Sequence, residues 1–350
     1  MTKKQATKAL LFILILILCL LGVNRALFPF SEHDTNQTKS FYETEADSVD
    51  VLFVGTSLMM MSVNPLRMYD DTGIVSYNRA CSCQSPQIAY LTVEETLKTQ
   101  NPKVVVLAAG ALIIPYDYEF REPFLRRGMD YKKISRTKYE AAKDIAEQSG
   151  GVQTVQSYFF PLLRFHGRWG EVLVNGIDSF EYEYDYLHGY YATTQVVPQE
   201  DISGERMVSS KEYEVDENTR YWYGRLIELC KENDIKVLAV GNYDLRWTAK
   251  KHAVIEAYCE EMGIDFVDYN YEPMKSQLGI NLQTDMYDLK HTNIRGSLKV
   301  TDSLAYYIRD KYKLSPSKTS DSVKKQFEED IAQFKNDIAK YNEKGFVVSW

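Results

Sequence analysis

A serine, an aspartate and a histidine have the types and spacing that could support nucleophilic catalysis. Ser57 closely follows the apolar run at residues 51–54, and two residues separate Asp288 from His291. That spacing lets a carboxylate fold back onto the imidazole within one turn and fix its tautomer. A histidine held in this way could act as the base that activates the hydroxyl of Ser57.

Ser57 also has an ordinary structural interpretation. Serine commonly caps the first turn of a helix by accepting a hydrogen bond from a free backbone N–H group. The sequence Gly55-Thr56-Ser57 alone favours such a cap, whereas the pair Asp288 and His291 near the far end of the chain favours a nucleophile. Both interpretations remain open at the level of the sequence.

The elements that must position these residues follow a repeating order. Short apolar runs alternate with helical segments, and they occupy residues 51–54, 74–77, 104–107, 237–240 and 264–268. Such runs are typical of strands buried on both faces, and their alternation with helices indicates a parallel sheet. We therefore predict an α/β fold class, a flavodoxin-like three-layer α/β/α domain with a five-stranded parallel sheet. Ser57 would lie at a carboxyl end, where such sheets bind ligands.

The rest of the chain adds segments to this domain. The domain is predicted at residues 48–314, with one long insertion at residues 115–216 where the alternation stops. Residues 31–47 are polar and acidic and are predicted to form a stalk. Residues 315–350 are predicted to form a charged C-terminal helix with a thin apolar stripe, which would pack on the domain or on a partner.

The N-terminus has the composition of a membrane anchor. Residues 9–30 are mostly apolar, and Lys3, Lys4 and Lys8 lie in the short tail before them. A cleaved signal peptide is the competing interpretation, but no small-x-small cleavage site follows. The lysines predict a cytoplasmic tail at residues 1–8 and a transmembrane anchor at residues 9–30. The expected location is the plasma membrane, with a single pass and the catalytic domain outside.

Charge and cysteine usage exclude several classes of function. The net charge of −8, without a basic cluster, argues against nucleic-acid binding. The five cysteines have no spacing that resembles a zinc site. We expect no metal and no cofactor.

The order of the three chemical residues resembles the SGNH/GDSL hydrolase superfamily. A Gly-x-Ser turn follows the first strand, and an Asp-x-x-His turn precedes the last helix of the domain. The resemblance implies a triad in which Ser57 is the nucleophile, His291 the base and Asp288 its partner. With its anchor, the chain looks most like the membrane-tethered branch that includes the DltD-like and AlgJ/AlgX-like proteins, which take part in acylating cell-surface polymers of bacteria.

Two positions depart from the superfamily pattern. The superfamily uses a Gly after the second strand and an Asn after the third to complete its oxyanion hole. Neither residue is present in the loop at residues 78–84 or in Ala109-Gly110-Ala111. Loss of one such donor typically slows the reaction about a hundred- to thousandfold. The expected donors are therefore the backbone N–H groups of Ser57, Cys81, Cys83 and Gly110.

The insertion contains residues that could contact a glycan. His166, His188 and Tyr190 lie among aromatic and basic residues, and the tyrosine-rich run at residues 182–191 could stack on sugar rings. Structural hydrogen bonding is the alternative for both histidines, and a half-buried hairpin is the alternative for the run.

Two functions compete on this sequence. The first is a membrane-anchored, extracytoplasmic serine O-acyl esterase or acyltransferase that acts on cell-surface polysaccharide or teichoic acid. The second is a catalytically degenerate relative that binds glycan or serves as a scaffold for a membrane O-acyltransferase. The expected partners are the glycan or teichoic acid, the lipid bilayer through residues 9–30, and that acyltransferase. The joint presence of Ser57, Asp288 and His291 favours the enzyme.

Overall fold

A five-stranded, fully parallel sheet forms the centre of the molecule, in a computed structural model that describes residues 1–113, 115–177 and 182–350. The strands are β1 (Val51–Val54), β2 (Ser76–Asn78), β3 (Val104–Ala108), β4 (Lys236–Gly241) and β5 (Asp265–Asp268). Their order is β2-β1-β3-β4-β5, which is the flavodoxin-like order. The predicted fold class is confirmed, with the second strand beginning two residues later than expected.

Helices cover both faces of the sheet. Those of the described residues are α1 (Lys3–Leu27), α2 (Glu32–Glu43), α3 (Ser57–Ser62), α4 (Pro65–Thr72), α5 (Pro86–Thr96), α6 (Glu122–Asp130), α7 (Arg136–Gln148), α8 (Leu162–Phe165), α9 (Trp169–Asn175), α10 (Ser203–Met207), α11 (Glu217–Glu232), α12 (Ala249–Met262), α13 (Met274–Leu278), α14 (Ile294–Tyr312) and α15 (Asp321–Glu343). Short 3₁₀ turns occupy Ala109–Ile113, Val155–Tyr158 and His166–Arg168.

The alternation of side chains along each strand produces two cores. Leu52 and Val54 of β1 face a core that they share with α5, α11 and α12. Val51 and Phe53 face the opposite core, to which α3, α4 and α14 contribute. Because successive side chains of a strand point to opposite faces, β1 and β3, which are buried on both sides, are apolar at every position.

The segment predicted as a stalk is instead part of the domain. Residues 32–43 form α2, and Phe41 is 1% exposed within the first core. The side-chain amide of Gln37 donates hydrogen bonds to the backbone oxygens of Asn78 and Ala80, at 2.8 and 2.9 Å. The stalk prediction is wrong because most of the buried residues of α2 are polar, so the segment has no apolar periodicity.

The C-terminal helix packs on the domain rather than leaving its stripe for a partner. Phe327, Ile331, Phe334 and Ile338 of α15 are all buried in the first core.

The N-terminal helix differs from α15, because the apolar part of α1 is not buried. Its 25 residues are long and apolar enough to cross a membrane.

Candidate active site

The turn after β1 places Ser57 at the carboxyl edge of the sheet. Gly55 has a φ of 138°, which side chains rarely allow. A Cβ atom at this position would also lie 2.4 Å from the Cβ of Ala108 on the neighbouring strand. Only glycine therefore permits the chain to turn here and begin α3 at Ser57.

Ser57 is not the cap of α3. Thr56 occupies the cap position, and its carbonyl oxygen accepts hydrogen bonds from the N–H groups of Met59 and Met60, at 3.0 and 3.2 Å. Ser57 is the first helical residue, and its hydroxyl lies 2.8 Å from Nε2 of His291. The interpretation of Ser57 as the cap of the helix is thereby excluded.

Ser57, His291 and Asp288 form one chain of hydrogen bonds. Nδ1 of His291 lies 2.8 Å from Oδ2 of Asp288. A carboxylate accepts the proton of Nδ1–H, which leaves Nε2 with a lone pair facing the hydroxyl of Ser57. His291 is 8% exposed, so little water competes for this hydrogen bond. The sequence-predicted triad residues are brought together, in the arrangement that a general base requires.

The loop before α14 holds Asp288 and His291 in place. Oδ1 of Asp288 accepts hydrogen bonds from the backbone N–H groups of Lys290 and His291, both at 2.8 Å. The hydroxyl of Thr292 donates to the carbonyl of Met61 at 3.3 Å, which ties this loop to α3. Asn293 then caps α14 by accepting from the N–H of Arg295 at 3.0 Å.

These hydrogen bonds also determine the charge of Asp288. Burial alone would raise the pKa of its carboxyl group. Hydrogen bonds from the His291 side chain and from the N–H groups of Lys290 and His291, together with the charge of His291, outweigh burial and hold the pKa below its ordinary value. Asp288 is therefore ionised near neutral pH and can orient and stabilise a protonated His291.

The backbone N–H groups predicted to form the oxyanion hole differ in whether they are already used in other hydrogen bonds. The N–H of Cys81 donates to the carbonyl of Gly55 at 3.1 Å, so the prediction for Cys81 is wrong because its donor holds the turn. Gly110 lies in the 3₁₀ turn after β3, where a Cβ atom would be 3.9 Å from a methyl group of Leu58. Gly110 therefore lies near the side chain of Leu58, the residue after Ser57, and its N–H group remains a predicted donor. Cys83 has a φ of 50°, and its carbonyl accepts from the hydroxyl of Tyr116 at 2.6 Å. Its N–H remains a predicted donor.

Gln84 holds the turn before Ser57, a role that was not predicted from the sequence. This residue is 3% exposed, and its side-chain oxygen accepts a hydrogen bond from the N–H of Gly55 at 2.7 Å. Its amide nitrogen donates to the carbonyl of Arg79 at 3.0 Å. Gln84 thus joins the turn before Ser57 to the loop after β2. A lone glutamine, distant in sequence from Ser57, gave no signal of this role.

Two of the three predicted glycan contacts have structural roles. His188 is 5% exposed, bonds Asp330 of α15 at 2.9 Å and stacks on Phe327. Tyr190 is 1% exposed and shares a hydrogen bond with Ser297 at 2.5 Å. Both predictions are wrong, because these side chains are buried and already paired.

His166 is exposed, but it lies in the part of the insertion that packs against the end of α1. Its Nδ1 atom is 3.0 Å from the carbonyl of Leu163. The structure thus gives His166 no contact with the triad, and its binding of glycan stays a prediction. In the tyrosine-rich run, residues 186–189 form turns and none of the described residues lies in a strand, so the run is not a hairpin. Tyr184 and Tyr186 donate to aspartates of α15.

A groove of about 1640 Å³ opens at the carboxyl ends of β3 and β4. Tyr116 on its wall donates to the carbonyl of Cys83, in the loop after β2. Arg246 on its wall follows Leu245, whose N–H donates to the carbonyl of Leu289 at 2.9 Å. The groove is thus connected to both loops beside the triad. Its lining combines tyrosines with carboxylates and a few basic residues, which favours a polar ligand.

Comparison with known proteins gives distant structural similarity only. No protein-family model and no curated protein matches the chain. It is similar to the structure of a candidate acylhydrolase from Bacteroides fragilis, at 14% identity with a TM-score of 0.37, over 79% of this chain and 95% of that one. It is also similar to a GDSL-like lipase from Bacteroides thetaiotaomicron, at 14% identity with a TM-score of 0.35, over 80% and 98%. The function must therefore be inferred from the residues of this chain.

Proposed function

We propose that the chain is an SGNH-type serine hydrolase that cleaves or transfers acyl esters. The observation that carries this proposal is the hydrogen-bonded series Ser57, His291 and Asp288, with 2.8 Å between successive partners. A site that only binds glycan has no physical need for this order of hydroxyl, imidazole and carboxylate. The geometry therefore supports an enzyme better than a scaffold.

The reaction follows from the roles of the three side chains. Nε2 of His291 takes the hydroxyl proton of Ser57 while Oγ attacks the carbonyl carbon of an ester. Backbone N–H groups near Ser57 and Gly110 would stabilise the negative oxygen of the tetrahedral intermediate. The intermediate collapses when His291 returns the proton to the leaving alcohol, and Ser57 is left acylated. Water or a second hydroxyl then attacks the acyl group, with His291 again acting as base.

The proposed substrate is an O-acylated polymer at the cell surface, either polysaccharide or teichoic acid. The polar groove beside the site loops can hold an extended chain, and the apolar helix α1 would anchor the enzyme in the plasma membrane. Membrane-tethered relatives of the kind that the sequence resembles take part in acylating such polymers. A membrane O-acyltransferase that supplies or accepts the acyl group would then be a natural partner.

Covalent labelling of the full-length protein tests the chemistry. A fluorophosphonate probe should label wild type at Ser57, and the protein should hydrolyse p-nitrophenyl acetate. Ser57→Ala should abolish labelling and reduce hydrolysis to background, since a triad serine typically contributes on the order of a millionfold in rate. Ser203→Ala, which removes a hydroxyl outside the site, should label like wild type. Equal labelling of wild type and Ser57→Ala, or no labelling of either, would favour the non-catalytic scaffold.

A further inference from the structure

The insertion carries a dense group of exposed apolar side chains. We call residues 160–177 the 160–177 segment. Six of its large hydrophobic residues are between 49% and 83% exposed, namely Phe160, Leu163, Trp169, Leu173, Val174 and Ile177. Leu173 and Val174 of α9 are the most exposed of these, at 82% and 83%. Single exposed apolar residues are common on soluble proteins, but six within eighteen residues indicate an interaction surface.

This segment is held against the end of the apolar helix α1. The N–H of Leu162 donates to the side-chain oxygen of Asn24 at 2.8 Å, and Arg168 donates to the carbonyl of Leu27 at 2.8 Å. The ring of Phe165 packs edge-on against Phe28, with 5.9 Å between centroids. The 160–177 segment therefore lies beside the point where α1 enters the folded domain.

We infer that the 160–177 segment lies in the outer interface of the lipid bilayer, beside α1. The inference rests on the membrane anchor proposed above. If the exposed part of α1 spans the bilayer, the surface of the membrane must lie near its last turn, at the level of the segment packed there. The apolar side chains of α9 then continue the apolar surface of α1. A bilayer is therefore a better occupant than a soluble partner, which could not extend along α1.

Trp169 suits this position. It is 49% exposed and begins α9, and tryptophan is enriched at membrane interfaces because its ring is apolar while its N–H remains in a polar environment. The other tryptophans of the described chain are Trp222, which is 2% exposed, Trp247, which is 3% exposed, and Trp350 at the C-terminus. Trp169 can therefore report contact with lipid.

The test uses the full-length chain in phosphatidylcholine vesicles that contain lipids brominated either near the headgroup or deep in the acyl chains. Flotation of the vesicles after an alkaline carbonate wash first establishes that the protein is integrally inserted, which a segment lying only in the interface would not achieve. Shallow bromine should then quench a clear fraction of the tryptophan emission, and deep bromine should quench less. Trp169→Phe should abolish the shallow quenching, whereas Trp350→Phe should retain it.

A second variant tests the apolar surface of α9 rather than the fluorescent reporter Trp169. The double variant Leu173→Asp, Val174→Asp should still float with the vesicles but should lose the quenching of Trp169, because charged side chains are excluded from the interface. The inference is overturned if floating wild-type protein shows no quenching that depends on Trp169. In that case the 160–177 segment does not contact lipid, and a protein partner becomes the better explanation for its exposed apolar side chains. Failure to float would instead refute the proposed anchor on which the inference rests.

Discussion

Asp288 receives three hydrogen bonds, from Nδ1 of His291 and from two backbone N–H groups of its own loop. The two backbone bonds fix the carboxylate without the help of any distant residue. The remaining lone pairs then fix the imidazole. Because the whole arrangement is local, the Asp-x-x-His spacing carries enough information to specify it. This explains why the acid and the base were predictable from the sequence.

We expect Asp288→Asn to reduce the rate of fluorophosphonate labelling by on the order of a thousandfold, less than Ser57→Ala does. The amide leaves the nucleophile and base in place but no longer holds His291 in the productive tautomer. Since the pKa of Asp288 is lowered, its carboxylate is ionised throughout the range from about pH 5 to pH 9. The variant should therefore be impaired at every pH in that range, and an effect confined to alkaline pH would contradict the assignment.

Some side-chain roles could not be predicted from the sequence because they depend on contacts between elements that are far apart along the chain. The partner of His188 is Asp330, and the partner of Tyr190 is Ser297, each more than a hundred residues away. Nothing near these residues distinguishes a buried pair from a ligand contact. β1 and β3 were predictable because their burial on both faces gives an unbroken apolar run in the sequence. The polar helix α2 was not, because its buried groups are satisfied by specific hydrogen bonds.

The contact between the insertion and α15 can be tested at Asp330. Its carboxylate bonds His188 at 2.9 Å, Tyr184 at 3.0 Å and Gln326 at 2.9 Å, and the residue is 3% exposed. Asp330→Ala should lower the free energy of unfolding by about 2 kcal/mol, because it leaves buried polar atoms without partners. Urea denaturation followed by tryptophan fluorescence measures this change.

The neighbouring residue Glu329 provides the control for Asp330. Its side chain is 59% exposed and its ion pair with Lys325 lies at the surface, so Glu329→Ala should change the free energy of unfolding by less than about 0.5 kcal/mol. Equal effects of the two substitutions would mean that α15 is not held through Asp330.

At the scale of the whole molecule, α1 and the domain would lie in different environments. The lysines at the N-terminus predict that the tail is cytoplasmic and the domain extracellular. The half-exposed native Cys83 is first replaced by Ser. On intact cells, a membrane-impermeant maleimide should then label Val208→Cys, since Val208 is 82% exposed, but should not label Lys4→Cys. Permeabilised cells should show labelling of both. The reverse pattern on intact cells would place the domain in the cytoplasm.

Helix α2 connects α1 to the loops of the site through direct hydrogen bonds. The N–H of Ser31, just before α2, donates to the hydroxyl of Tyr131 at 2.8 Å, and Gln37 binds the loop that follows β2. Twelve residues of helix span about 18 Å. With α1 in a bilayer, Ser57 would stay at a nearly constant distance from the membrane surface. It would meet its substrates by diffusion in the plane of the membrane. Acyl groups at that height would be processed, and those on polymer further from the membrane would have to be brought down to it.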